Sequence, residues 1–528
     1  MKGTRTNITP RPEPEQHPDG WPSGYPGARD FGLGPPGMNL VYKPALWAPA
    51  DLLKLANCRA LNGEEDSWRA TGLCRHVRLL QAGDLFVARA STSDEDDHYL
   101  VREAWAQGAV AAIVSRKPEG LPADWPLFLV PDTEAAIAQL GQMARLRTQA
   151  KVVGITGSVG KTASKEALHL ILSRQAPTVA TWHNDNSVKG VPLALAQIPT
   201  KCDFAVLEVG MNQSAARFLQ ICREVRPQLA LITAITPEHL DQHGSLDAIA
   251  ANKSGLITAL EPGGFAVLPR DCAQFSRLKQ AVDEAPAQPQ LITFGHHPES
   301  DLRVTDVRSS ALASEVQAVW QGRHFNYRLN VVGDHWVSIS LGALAAALAL
   351  DMSLEMSAAA LADLRPGFRR GQLLRAETES GSLLILDDSF SASPTSMEAA
   401  CRTFARMNNP LGGRKIMVLG TMWGLGEASD HYHRALAASV CEAAPDLVFT
   451  AGTHAVPLFE ALPSNLRGRH FETVEMLAQH LPNHLANGDF ILLKASLRLD
   501  FWKVAAQLLP WAERRHHIVS SRRLVTGL

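Results

Sequence analysis

The 528-residue sequence has no surplus of either charge, with 51 Lys and Arg against 53 Asp and Glu. That balance speaks against a general nucleic-acid binder, whose phosphate contacts call for a basic excess. Its seven cysteines, Cys58, Cys74, Cys202, Cys222, Cys272, Cys401 and Cys441, are scattered, odd in number and without a CxxC pair. Such spacing fits neither a disulfide framework nor a thiolate zinc site, and predicts buried thiols in a reducing compartment. No run reaches the ~20 apolar residues that a bilayer span requires. The most apolar helical stretch, Leu341 to Leu350, is flanked by His335 and Asp351. The first residues lack the apolar run of a secretory signal, and no short repeat recurs at a fixed period. With 46% hydrophobic and 20% charged residues, the expectation is a cytoplasmic globular protein with no nucleic-acid partner and no membrane span.

What is present has an α/β rhythm. One domain per ~150 residues predicts three or four domains. Residues 1–40 hold eight Pro and seven Gly, too many breakers for a packed core, and are expected to form a disordered tail. Block 41–145 contains the runs Asp84–Ala88 and Val110–Val114 around a helical pattern from Tyr99 to Gly108. Block 146–352 carries the runs Val152–Thr156, Phe204–Glu208, Leu229–Thr233 and Phe265–Leu268. Block 353–528 repeats the pattern at Leu383–Leu386, Lys415–Leu419, Leu447–Thr450 and Phe490–Leu493. Short continuous apolar runs separated by helices predict parallel sheets covered on both faces. Ligands of such sheets bind beyond the carboxyl ends of the strands. Arg514, Arg515, Arg522 and Arg523 read as a solvated basic end.

The sharpest motif lies between a strand and a helix: Gly154-Ile-Thr-Gly157-Ser158-Val-Gly160-Lys161-Thr162. Glycines let backbone N–H groups cradle phosphates, and the helix N-terminus adds the positive end of its dipole. Lys161 can neutralise a β/γ-phosphate, and the Thr162 hydroxyl can hold Mg²⁺. A generic phosphate loop has Gly or Ala where this one has Ile155. Glu208, ending its apolar run, suits a further Mg²⁺ ligand beside the loop. His239 can ligate a metal through a neutral imidazole or serve as a hydrogen-bonded loop histidine. Lys253, from its own surroundings in the sequence, reads as a surface residue.

At these residues the chain resembles the Mur ligase family, ATP-dependent amide-bond ligases, and within it the MurF branch. The family loop Gly-Ile-Thr-Gly-x-x-Gly-Lys-Thr accounts for Ile155. Further matches are Asn184-Asp-Asn186, Glu208-Val-Gly210, His239-Leu, Asp387-Asp388-Ser, Leu425-Gly-Glu427 and Lys494-Ala-Ser496, with Gly83–Ala88 in the first block. The resemblance spans about residues 45 to 510. It implies a three-domain α/β architecture: an N-terminal substrate domain, a central phosphate-loop domain with a parallel sheet, and a C-terminal Rossmann-like domain. It also implies ATP and Mg²⁺ as cofactors and a monomer. By the same resemblance Gly157, Ser158, Gly160, Lys161, Thr162, His335, Asp387 and Asp388 would bind the nucleotide. Thr162, Glu208, His239 and a carbamylated Lys253 would serve the metals, with Lys161, His239 and Lys253 catalytic. Arg78, Asn184, Asn186, Lys494 and Ser496 would contact the substrates.

Several positions depart from the family pattern. Thr-Asp-Ser-Arg reads Arg75-His76-Val77-Arg78, Asp-Gly-His reads Asp96-Asp97-His98, and an expected Glu is Gly255. Ile339 replaces an Asn, and Phe390, Ser391 and Ser393 stand in a usual Tyr-Asn-Ala-Asn segment. Gly-Asp-Met-x-Glu-Leu-Gly has become Gly420–Gly426, and Lys-Gly-Ser-Arg ends in Leu497. Trp336 either stacks on a base or plugs the core. The expected reaction is ADP-forming ligation of a small-molecule carboxylate to an amine through an acyl phosphate. The family pair would be a UDP-muramoyl tripeptide and the dipeptide D-alanyl-D-alanine. The alternatives are a paralogue joining another acid and amine, a nucleotide-binding regulator without catalysis, and a phosphotransferase or ATPase.

Overall fold

The computed structural model describes residues 45–62, 67–89, 96–182, 185–211, 214–310, 312–378 and 381–509. The tail 1–40, the basic end after residue 509 and Asn184 lie outside them. Three sheets follow one another along the chain. The first holds β1 (Arg59–Asn62), β2 (Gly72–Cys74), β3 (Asp84–Val87), β4 (Ala111–Val114) and β5 (Leu127–Leu129), in the order β1-β5-β4-β3-β2. Only β1 runs antiparallel to its neighbour.

The second sheet contains β6 (Lys151–Thr156), β7 (Thr178–Ala180), β8 (Phe204–Glu208), β9 (Leu229–Ile232), β10 (Phe265–Pro269) and β11 (Gln290–Gly295). It continues with β12 (Leu302–Ser309), β13 (Ser314–Trp320) and β14 (Arg323–Leu329). Its order is β14-β13-β12-β11-β10-β9-β6-β8-β7. The third sheet comprises β15 (Gln372–Thr378), β16 (Gly381–Asp387), β17 (Lys415–Gly420), β18 (Leu447–Ala451), β19 (Arg467–Phe471) and β20 (Phe490–Lys494), ordered β15-β16-β20-β17-β18-β19.

Every apolar run singled out in the sequence lies on one of these strands. The middle sheet shows why: Val153, Ile155 and Val206 enter one core layer, while Val152, Ala205 and Leu207 enter the layer on the opposite face. A strand buried on both sides needs apolar residues at successive positions. Beyond β12 the sheet changes character, because β13 and β14 pair antiparallel. Their exposed faces break the continuous-run pattern, so this extension was not among the expected parallel strands. The apolar stretch Leu341–Leu350 belongs to the buried helix Asp334–Ala349. Among the described residues no helix is long and apolar enough to cross a membrane. All seven cysteines are free, but the expectation of buried thiols holds only for Cys222 and Cys401; Cys441 is exposed.

The three units touch at specific points. Trp47, 1% exposed, donates its indole N–H to the Ala196 carbonyl at 3.0 Å, and the Arg147 guanidinium lies over its ring at 4.0 Å. Leu193 and Ala196 of the helix Gly190–Ala196 complete the core under the first sheet. Leu240 packs against both the middle core and the core of the third sheet. Trp47→Ala should remove a hydrogen bond, a cation–π contact and a large buried ring together. We expect a destabilisation of about 3–5 kcal/mol, read as a lower apparent Tm by calorimetry; an unchanged melting curve would refute the role given to this contact.

Candidate active site

The strand β6 ends in Thr156, and the chain then turns through Gly157 and Gly160 into the helix Lys161–Ser173. A Cβ on Gly157 would collide with the Thr233 hydroxyl, and Gly160 has φ +82°, so both positions need glycine. Gly160 is the N-cap and has no side chain with which to satisfy the first turn's amides. Those N–H groups, with the helix dipole behind them, form an anion-binding end. Thr162 stands in this first turn. Neighbouring strands hold the loop: Ser158 N–H donates to Ala234 O at 2.8 Å, and the Thr233 hydroxyl donates to Val159 O at 2.5 Å. The Ser158 hydroxyl donates to Thr236 O at 2.9 Å, so it is committed within the loop.

Two lysines converge on one loop carbonyl. Lys161 Nζ donates to Gly157 O at 2.6 Å and to Ser158 O at 3.0 Å. Lys253 Nζ reaches the same Gly157 O at 2.9 Å. Lys253 is 1% exposed, which corrects the surface position read from its sequence surroundings: the short helix Leu246–Lys253 turns its last residue inward. Glu238 lies between the two cations, 3.6 Å from Lys161 and 3.5 Å from Lys253. Burial alone would raise its carboxyl, but Lys161, Lys253 and His239 hold it below the ordinary value. Burial and the adjacent Lys161 charge bring the Lys253 amine down to about 8, which Glu238 only partly offsets.

Glu208 is 1% exposed at the end of β8. Asn186 Nδ2 donates to its Oε1 at 2.6 Å, while its buried Oε2 has no hydrogen-bond partner among the described residues. An orphaned carboxylate oxygen beside a phosphate loop is a strong candidate for a cation ligand. Gly210 leaves room for Asn186, whose amide oxygen would lie 2.5 Å from a Cβ there. His239 has φ +48° and caps the helix Leu240–His243.

The third sheet faces this loop with the carboxyl ends of its strands. A Cβ on Gly424 would lie 3.1 Å from His239 Nδ1, and one on Gly426 would lie 3.3 Å from the Asp241 Cβ. Lys494, 2% exposed, donates to Asp388 Oδ2 at 2.7 Å and to Ser391 O at 2.9 Å. Asp387 accepts from the Ser389 N–H and hydroxyl, and burial pushes its carboxyl up. Ser496 donates to Ala392 O at 3.4 Å. His335, exposed in the first turn of its helix, lies in the electrostatic reach of Asp388 and Lys494. Trp336, in contrast, is 5% exposed within the middle core, which decides between its two readings in favour of the core. Arg78 is exposed in the short helical turn Val77–Leu79 that follows β2 in the first unit.

Two charged residues at the site were not singled out from the sequence. Glu238, directly before His239, reads in the sequence as an ordinary loop acid. Arg370, just after Pro366-Gly367, stacks its guanidinium over Phe390 at 4.0 Å and feels the charges of Glu208, Asp388 and Glu166. The Arg369-Arg370 pair before β15 was the only available signal.

Comparison with known proteins agrees with this layout. The Mur ligase middle domain matches residues 155–347, and the Mur ligase glutamate ligase domain matches residues 369–497, together more than half of the chain. The chain belongs to the Mur ligase family. Among curated relatives of this Mur ligase, the UDP-N-acetylmuramoyl-tripeptide–D-alanyl-D-alanine ligase of Bacillus subtilis is 28% identical over 448 residues, 83% of this chain and 93% of the relative. A crystal structure of MurF from Acinetobacter baumannii superposes with a TM-score of 0.73 at 27% identity, covering 88% of this chain and 99% of that one. MurF from Thermotoga maritima, solved in complex with ADP, shares the fold with a TM-score of 0.65 at 23% identity, covering 84% of this chain and 97% of that one.

Proposed function

We propose that this Mur ligase is an ATP-dependent, ADP-forming ligase of the MurF type, joining a carboxylate to an amine through an acyl phosphate. The observation that carries this reading is the convergence of Lys161 and Lys253 on the Gly157 carbonyl, with Glu238 paired to both lysines and the orphaned Glu208 oxygen nearby. ATP fits the cradle formed by the Gly157–Thr162 backbone. Mg²⁺ fits Thr162 and Glu208, with His239 and a carbamylated Lys253 serving a second ion. No group of three or more His, Cys, Asp or Glu side chains converges among the described residues. Phosphate oxygens and water would then complete the shell, as Mg²⁺ commonly requires. When bound, Mg²⁺-ATP supplies a phosphoryl group that turns the carboxylate into a good electrophile.

The protein residues position and screen. Lys161 and the first-turn amides offset charge on the phosphates, and Asn186 orients the Glu208 carboxylate. Asp388, Lys494 and Arg370 bring the third sheet's charges to the same cleft, where closure excludes water from a hydrolysable intermediate. The relatives' pair, a UDP-N-acetylmuramoyl tripeptide and D-alanyl-D-alanine, names the substrate class, and we place the reaction in the cytoplasm, carried out by a monomer. A paralogous reaction on a different acid is the second reading. It is favoured by Arg75, which is 10% exposed in its side chain and spent on an ion pair with Glu134 at 3.2 Å, close to Arg78.

Release of ADP and phosphate should require Mg²⁺, an acid and an amine together, and should fall ~10²-fold or more in Lys161→Ala. Equal ADP formation with neither substrate would overturn the ligase reading, and nucleotide binding without any turnover would indicate a regulator. Carbamylation of Lys253 consumes its neutral amine and CO₂ and releases a proton. Lowering the amine from its ordinary 10.5 to about 8 raises the neutral fraction at pH 7.5 from about 0.1% to about a quarter. Activity in CO₂-depleted buffer should therefore drop, and the dependence on added bicarbonate should weaken as pH rises through about 8. A short carboxylate should partly rescue Lys253→Ala; full activity of that variant without additive would exclude the carbamate.

A further inference from the structure

A groove opens beside the first half of β11, lined by none of the residues assigned to the nucleotide, the metals or the substrates. On one side β10 pairs with β11 at every position from Gln290 to Phe294. On the other, β12 meets it only at Phe294↔Leu302 and Gly295↔Arg303. The stretch Gln290–Ile292 therefore has a strand along one edge and none along the other. Its amide groups alternate between the two edges. Gln290 N–H donates at 2.9 Å to the carbonyl of Gly264, just before β10. Thr293 N–H points the opposite way and donates to Asp301 Oδ2 at 2.8 Å. Leu291, two residues before Thr293, turns its N–H and C=O to that same side. No strand among the described residues meets them there.

The space beside Leu291 is a cavity of about 630 Å³, within the ~300–1,000 Å³ common for ligand sites. Phe265, Ile292 and Trp320 give it apolar walls, and Ser300 and Arg303 give it polar groups. Ser300 is 9% exposed, and its hydroxyl has no hydrogen-bond partner among the described residues. A buried hydroxyl without a partner calls for one from a ligand. Two acids also line the cavity, and both are engaged. Asp301 Oδ2 accepts the Thr293 hydroxyl at 2.7 Å as well as its N–H, and Asp351 lies 3.8 Å from Lys151. Arg303 is the lining charge left without an ion-pair partner among the described residues, so the groove complements an anion.

We propose that this groove binds a short extended peptide with a free carboxylate. Its backbone adds to β11 as a strand at Leu291, an apolar side chain packs on Phe265, Ile292 and Trp320, and the carboxylate pairs with Arg303. Strand addition supplies affinity through main-chain hydrogen bonds, and side-chain pockets supply selectivity. Three extended residues span about 10 Å, which matches the open stretch of β11. Proteins normally cover their open strand edges, and an opening this short admits a small peptide without inviting a long strand. The site goes beyond the ligase reading. The phosphate loop follows the carboxyl end of β6, whereas Phe265 and Gln290 begin strands that run parallel with β6. The groove thus starts at the opposite end of the sheet.

The test is calorimetric binding of the tripeptides Leu-Val-Phe, Phe-Val-Leu and Val-Phe-Val to the full chain saturated with Mg²⁺ and AMP-PNP. At least one should bind saturably, and its C-terminal amide should bind ~10-fold more weakly. Arg303→Gln should erase that difference between acid and amide. N-methylation of the two internal amides, one at a time, reads the strand pairing without any change to the protein. The amide facing Leu291 should lose ~10-fold in affinity when methylated, and the one facing away should lose little. Absence of saturable binding by all three peptides would overturn the proposal. So would an acid preference that survives Arg303→Gln, the result expected of binding in the substrate cleft, or equal tolerance of both N-methyl groups.

Discussion

Two lysine side chains, one of them fully buried, share a single carbonyl oxygen, and this crowding organises the rest of the site. Lys161 and Lys253 both donate to Gly157 O, and Glu238 lies between them and offsets their charges. Like charges brought together away from water repel strongly unless an anion joins them. The loop geometry matches that demand, because Gly160 leaves the first helical amides without a side-chain cap. Burial, and then the neighbouring Lys161 charge, depress the Lys253 amine and make this lysine chemically different from a surface lysine.

No single sheet contains the whole centre. Lys161, Glu208 and His239 come from the middle unit, while Arg370, Asp388 and Lys494 come from the third. Leu240, packed on both cores, sits next to His239 and joins the two halves mechanically. Contacts between Gly424 and His239, and between Gly426 and Asp241, show why small residues occupy that loop: any side chain at Gly424 would press on the imidazole. The first sheet is tied to the middle unit at Trp47 and Ala196.

Much of the fold was legible because doubly covered parallel strands write themselves as unbroken apolar runs. Phe204–Glu208 is buried at all five positions, and Lys415–Gly420 is buried at all but the first. In β13 and β14, exposed or partly exposed residues such as Glu315, Gln317, His324 and Asn326 interrupt the apolar runs, so these strands do not show that signature. The phosphate loop was legible because its glycines answer to steric need. Glu238 and Arg370 were not, since a carboxylate or guanidinium acquires meaning only from what the tertiary fold sets beside it. Lys253 shows the same limit: its role came from family resemblance, whereas its burial came from the way its short helix packs. Trp336 had two readings that only packing could separate.

The central claim is that the phosphoryl group held at this loop passes to the carboxylate of the acid before the amine attacks. Isotope tracing tests it most directly: the acid is labelled with ¹⁸O in its reacting carboxylate, and the phosphate released with the amide is examined by mass spectrometry. Transfer through an acyl phosphate leaves one carboxylate oxygen on phosphate, so singly labelled phosphate should form in step with the amide. Amide formation accompanied by unlabelled phosphate would contradict phosphoryl transfer to the acid.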